Sequence, residues 1–126
     1  IEIAHSRSAK VKVIFENCYL NDGQKIRVCE IASEQNADWV KTSTGYATGG
    51  ATLEDLALMR KYAAPQVQVK AAGGVRDLDA LLTVRQIGVT RCGATRTAAM
   101  LDEARQRLGL APLQSDPHAT AQPAGY

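Results

Sequence analysis

Short runs of β-branched and apolar residues alternate along the chain with longer stretches whose apolar positions recur at helical spacing. Residues 11–15 (VKVIF), 37–41 (ADWVK), 66–71 (QVQVKA) and 89–92 (VTRC) have the length and composition of strands. Residues 22–36 (DGQKIRVCEIASEQN) predict a helix that Asn36 can end in a left-handed conformation. A second helix is predicted over 52–63, where Thr52 followed by Asp55 makes a capping-box pattern and Leu56 and Met59 share a face. Asp77 caps a third over 78–87, which Gly88 ends, and a fourth over 95–108 stops before Gly109. The opening IEIAHSRSAK fits the end of a preceding helix. Each strand-plus-helix unit takes about 25 to 30 residues, the length of a βα repeat on a parallel sheet.

The periodicity stops at Ala111. APLQSDPHATAQPAGY is rich in Pro, Ala and small polar residues, so residues 1–110 are expected to form the folded domain and 111–126 a flexible tail. Four βα units admit two architectures: a small doubly wound α/β sheet, or half of a (β/α)₈ barrel, whose complete form needs about 250 residues. Lys41, Thr42, Ser43, Lys70, Gly73, Gly74, Gly93 and Thr95 all fall at or just past the C-terminal ends of predicted strands. Both architectures place their ligands there, so the placement marks a site and only leans toward the barrel.

Composition narrows the function classes. The 126 residues suffice for one domain, and 45% hydrophobic with 22% charged residues is ordinary globular usage. A net charge of +2 gives no reason to expect nucleic acid or an anionic membrane as the main partner. No apolar run approaches the roughly 20 residues of a membrane span, and the start of the chain does not form a signal peptide. Cys18, Cys29 and Cys92 are odd in number and lack metal-binding spacing; they read as reduced thiols of a cytoplasmic protein. His5 and His118 lie near the two ends, so no metal site is expected. The first residue is Ile rather than Met, which hints at a piece of a longer protein.

Two lysines, Lys41 and Lys70, end neighbouring predicted strands. A lysine that attacks a carbonyl must be neutral, and its reference pKa near 10.4 keeps it protonated at neutral pH. Burial and a nearby like charge both disfavour the ammonium form. The pair therefore suits a Schiff-base mechanism, one amine as nucleophile and the other tuning it. The plainer alternative is two independent lysines that reach solvent or pair with carboxylates. KAAGGVRD and RCGATRT supply glycines between a strand and a helix start, where exposed N–H groups attract an anion such as phosphate. Arg76 either adds charge there or makes an ordinary solvated pair with Asp77. Trp39 is expected in the core against a helix, and Cys18 and Cys29 as packed thiols. Glu16 ends the first strand and can line the site, though ENCY is a short signal.

VKTSTG after a strand, GGAT opening the next helix, VKAAGGVRD and TRCGAT together resemble the C-terminal half of the 2-deoxyribose-5-phosphate aldolases. KVIFENCYL is similar to that family's strand before the lysine strand, and the similarity runs in order from Val11 to Leu108. The resemblance implies a (β/α)₈ barrel, here its βα units 5 to 8, and a class I aldolase that needs no metal or other cofactor. It implies small-molecule phosphosugar and aldehyde substrates: reversible cleavage of 2-deoxy-D-ribose 5-phosphate to D-glyceraldehyde 3-phosphate and acetaldehyde. It makes Lys41 the Schiff-base lysine and Lys70 its partner, with Thr42 and Ser43 shaping the pocket. Gly45, Gly73, Gly74, Gly93 and Thr95 match positions around the phosphate, and Lys12 a strand lysine that lines the pocket. Tyr126 matches a terminal tyrosine that in some members visits the site for proton transfer. Tyr46 stands where some members have lysine, and Arg96 where serine is common. The first four βα units, which in the family carry a catalytic Asp, have no counterpart here. A half barrel is expected to expose an apolar sheet face and two strand edges. The chain is therefore expected to be a fragment of a longer enzyme or to pair with a second half, and a homo-oligomer is a further option. Two competing functions stay open: a non-catalytic phosphate-binding or assembly module, and a class I aldolase of another aldehyde or phosphosugar.

Overall fold

The computed structural model describes residues 1–113. A short helix α1 (Glu2–His5) precedes β1 (Lys12–Ile14), α2 (Asp22–Glu34), β2 (Trp39–Lys41), α3 (Leu53–Tyr62), β3 (Gln68–Ala72), α4 (Leu78–Gln86), β4 (Val89–Gly93) and α5 (Thr97–Arg107). A 3-10 turn at Asn17–Tyr19 links β1 to α2. The strands pair in parallel in the order β1-β2-β3-β4. A doubly wound sheet reverses its order at a switch point. Sequential order with crossovers of one hand sends every helix to the same side. The core agrees: Val40, Val69 and Val89 pack with Cys29 and Ala32 of α2, Leu56 and Met59 of α3, Val84 of α4 and Met100 of α5. The architecture is thus an arc of four units of a (β/α)₈ barrel, and the doubly wound alternative falls away.

Local chemistry sets the element ends. Asn21 and Gln24 form a reciprocal capping box at the start of α2. Asn36 takes the left-handed conformation predicted for it, with φ 56°. At α3 only half of the expected box forms. Thr52 accepts from the Asp55 N–H at 3.1 Å, but the Asp55 carboxylate reaches Lys25 on α2 at 2.7 Å instead. That ion pair, mainly through the Asp55 hydrogen bond, raises the Lys25 amine above the usual lysine range against the opposing effect of burial.

Arg60 closes the other end of α3. Its guanidinium donates to the carbonyls of Ala63, Ala64 and Val67 at 2.8, 2.7 and 2.6 Å, pinning the turn that joins α3 to β3. Arg60→Ala is expected to lower unfolding free energy in urea by about 2–3 kcal/mol, since several part-buried acceptors lose a charged donor. A loss under about 0.5 kcal/mol, the scale of an ordinary surface change, would contradict that role.

The register sorts the sheet into two faces. Val13, Val40 and Val69 point to the helices, while Lys12, Trp39 and Gln68 in one row and Ile14, Lys41, Lys70 and Arg91 in another point away. A bulge on β4 inserts Thr90 between the pairs Val69–Val89 and Lys70–Arg91. Two expectations are corrected here. Trp39 does not pack against a helix: it lies on the opposite face, with the Lys12 amine 5.5 Å and the Arg91 guanidinium 4.2 Å from its ring, and its Nε1–H donates to Gln68. That face is also not apolar. It carries Lys12, Lys41, Lys70 and Arg91, and no described carboxylate lies within ion-pair reach of any of them. The two open edges, β1 and β4, are as expected.

Past α5 the chain folds back, with Leu110 N–H donating to the Arg105 carbonyl at 2.8 Å and Leu113 N–H to Asp102 at 2.6 Å. Tyr126 and most of the expected tail lie outside the described residues.

Candidate active site

At the C-terminal ends of the strands lies an open cleft of about 1070 Å³. Lys41 and Lys70 both line it, and the two are register partners on β2 and β3. Adjacent strands are about 4.8 Å apart and paired residues share a face, so the sheet itself sets the lysines side by side. Beyond them the cleft is walled by Thr44, Gly45 and Tyr46 from the loop after β2, by Gly73, Gly74 and Arg76 after β3, and by Gly93 and Thr95 after β4.

Lys70 is the amine whose chemistry the surroundings visibly change. Burial first, then the charges of Lys12, Lys41 and Arg91, hold it below the usual lysine range. Its methylene stem passes close to Gly93, where an added Cβ would meet Lys70 Cε at 3.7 Å. A lysine whose folded-state pKa lies below its unfolded value, 10.5, binds fewer protons folded than unfolded in the interval between the two. Stability then rises with pH across that interval and carries a penalty below it. The difference in unfolding free energy between wild type and Lys70→Met should therefore favour the variant at neutral pH and shrink as pH approaches 10.5. Parallel curves across that range would contradict the shift.

Thr42 and Ser43 sit beneath the cleft rather than on its wall. Both are buried, and Thr42 Oγ1 accepts from the Ala72 N–H at 3.1 Å and donates to the Ala72 carbonyl at 3.3 Å. The Thr42 N–H also donates to the Lys70 carbonyl at 3.2 Å. Thr42 thereby ties the strand ends that follow the two lysines. Lys12 lies one row toward the other end of the sheet, outside the cleft lining, and its charge still reaches Lys70.

The glycines have a use that the sequence did not show. The loop after β2 lies directly on the loop after β3, with Ala51 N–H donating to the carbonyls of Ala72 and Gly73 at 3.1 and 3.3 Å. A Cβ on Gly50 would fall 2.9 Å from the Gly73 carbonyl carbon, and one on Gly74, at φ +81°, 2.5 Å from the Ala51 oxygen. The same loops leave N–H groups beside the start of α4, where Asp77 caps Ala80 at 2.8 Å, and Arg76 faces the cleft. Arg96 instead borders a separate small hollow with Arg76, Ala99 and Glu103.

Two residues outside the sequence-based selection support the site: Arg91 joins the lysines on one face, and Gly50 permits the loop contact. Glu16, expected to line the site, does not line the cleft; it bonds Thr44 on the cleft wall through both the Thr44 N–H, at 3.1 Å, and its hydroxyl. Of the thiols expected to be packed, Cys29 is buried, and burial pushes it up to about 11. Cys18 is exposed, a correction, because the Asn17–Tyr19 turn carries it to the surface beside Gly49. His5 pairs with Asp38 at 2.8 Å, and among the described residues no three His, Cys, Asp or Glu side chains are grouped to hold a metal ion. No described helix is long and apolar enough to cross a membrane.

No protein-family profile matches the chain. It is 62% identical over 113 residues to a deoxyribose-phosphate aldolase of Rhodopirellula baltica, covering 90% of this chain and 47% of that protein. It is 49% identical over 105 residues to one of Thermococcus gammatolerans, covering 83% of this chain and 47% of that protein. Among solved structures, the aldolase QR15 superposes with a TM-score of 0.76 at 38% identity, over 82% of this chain and 47% of the other. A tetrameric deoxyribose phosphate aldolase of Aeropyrum pernix gives 0.71 at 30% identity, over 85% and 46%. The chain spans about half the length of the relatives it matches.

Proposed function

We propose that the chain belongs to the deoxyribose-phosphate aldolase family over the half of its relatives that it spans, and that it supplies the imine-forming half of that family's active site. The observation that carries this is the register pair Lys41–Lys70 at the mouth of one cleft, with Lys70 held below the usual lysine range. Lys41 is the nucleophile. Its neutral amine adds to the C1 aldehyde of open-chain 2-deoxy-D-ribose 5-phosphate, and the carbinolamine loses water to give an imine. The C2–C3 bond then breaks, its electrons passing into the imine as an enamine while the C3 hydroxyl gives up its proton and glyceraldehyde 3-phosphate departs. Protonation of the enamine carbon and hydrolysis release acetaldehyde and regenerate Lys41.

Lys70, its amine held below the usual lysine range, is suited to take and return protons in these steps. The N–H groups of the Gly73–Gly74 loop and near Gly93 and Thr95, with Gly45 opposite and Arg76 nearby, form the phosphate end. Thr42 and Lys12 act from behind, one through strand alignment and the other through its field. The Tyr126 contribution lies outside the described residues. Residues 1–110 form the barrel portion, completed by four further βα units in the same or a second polypeptide. Self-association, as in the tetrameric relative, is compatible with this arrangement. The three free cysteines suit the cytoplasm.

A non-catalytic phosphate-binding half barrel is the second reading, because no described carboxylate lies within ion-pair reach of Lys41 or Lys70 to act as their acid–base partner. Acetaldehyde release from 2-deoxyribose 5-phosphate, measured beside binding of the same sugar phosphate, separates the two. Release that persists in chelator supports the aldolase. Binding without release supports the second reading.

A further inference from the structure

We propose that Glu16 is a positioning residue that straps the loop after Lys41 into place and so sets the affinity of the cleft for its phosphosugar. Glu16 has φ 52° and ψ 63°, a left-handed conformation that side chains with a Cβ adopt at a cost. Such strain persists only where the surroundings hold it, and these do. On one side the Phe15 N–H donates to the Lys41 carbonyl at 2.9 Å, and on the other the Asn17 N–H donates to the Thr42 carbonyl at 2.9 Å. β1 therefore continues to follow β2 past its last ladder pair, and the turn at Glu16 throws its carboxylate forward onto Thr44. There both carboxylate oxygens accept the Thr44 N–H at 3.1 Å, and one also accepts the Thr44 hydroxyl. Thr44 Oγ1 in turn accepts the Tyr46 N–H at 3.2 Å.

One charged group thus organises three consecutive cleft-lining residues, Thr44, Gly45 and Tyr46, beginning three positions after the amine. Glu16 itself does not line the cleft, so its effect passes through Thr44. A strap of this kind matters for a ligand long enough to touch the loop, and not for one that needs only the amine.

The inference rests on Lys41 forming the imine, and its test separates the two claims. Glu16→Asn tolerates positive φ but is too short to reach Thr44, whereas Glu16→Gln keeps the length and one accepting oxygen. Borohydride reduction of the full chain with increasing 2-deoxyribose 5-phosphate, and separately with acetaldehyde, gives a half-saturating concentration for each. Glu16→Asn is expected to raise that for the sugar phosphate about tenfold, leave acetaldehyde within about twofold, and keep or raise Tm, with Glu16→Gln regaining most of the loss. Equal losses with both aldehydes alongside a fall in Tm, or no loss with either, would overturn it. If wild type traps neither aldehyde, the imine reading fails, and Glu16 is then judged by hydrogen exchange. The Thr44 and Tyr46 amides should exchange about tenfold faster in Glu16→Asn, and unchanged rates overturn the strap.

Discussion

Lys41→Leu is expected to lower cleavage of 2-deoxyribose 5-phosphate by about a thousandfold or more while leaving binding of the sugar phosphate within about threefold. With Lys41 as the proposed nucleophile, the loss is large because its amine would form a covalent bond that no neighbour can replace. Lys70 is on the same row of the sheet, but it is fixed to β3 and its stem is packed over Gly93. Binding is expected to survive because most of the proposed phosphate groups, those of the loops after β3 and β4, belong to other strand ends. The fold survives because Lys41 is only partly buried and makes no ion pair among the described residues. Lys70→Leu should behave differently. It removes a like charge and a proton carrier but not the nucleophile, so a trapped adduct on Lys41 remains while turnover falls. If both substitutions abolished the adduct equally, the division of labour between the two amines would be wrong.

Gly74→Ala is expected to cost about 2–4 kcal/mol of stability and to open the cleft. Two causes add. A residue with a Cβ at φ +81° loses about 1–2 kcal/mol, and the new methyl would sit 2.5 Å from the Ala51 oxygen, a backbone atom that cannot swing aside. Relief requires moving the loop after β2 off the loop after β3, which breaks the Ala51 hydrogen bonds and separates two walls of the cleft. Gly93→Ala is the matched control, since its Cβ would make ordinary contacts of 3.7 Å and longer. Urea unfolding of the two variants decides it, and equal stability would show that the loop contact is slack.

Much of this architecture was legible in the chain because it rests on local signals. Asn36, Thr52 and Asp77 each announced a helix boundary through backbone chemistry that acts within a few residues. The paired lysines were legible because strand ends are easy to place and parallel register then puts them together. The misplaced features depend on contacts distant in sequence. Trp39 reads as core from its own neighbours, and only the pairing with Lys12 and Gln68 shows that its face is the inner one. The Thr90 bulge shifts Arg91 onto that face, and nothing in VTRC marks an extra residue. Glu16 and Thr44 are 28 positions apart, and Gly50 meets Gly73 only once two loops are stacked. A cationic inner face was hidden for the same reason: Lys12, Lys41, Lys70 and Arg91 come from four different strands, each with one cation in the inner rows.

The position of a trapped imine decides whether the cleft does aldolase chemistry. The full chain is incubated with acetaldehyde, reduced with borohydride and digested, and the N-ethyl lysine is located by mass spectrometry. A single saturable adduct on Lys41, absent in Lys41→Leu, is the predicted result. An adduct on Lys70 alone, scattered labelling of surface lysines, or none at all would contradict Lys41 as the nucleophile.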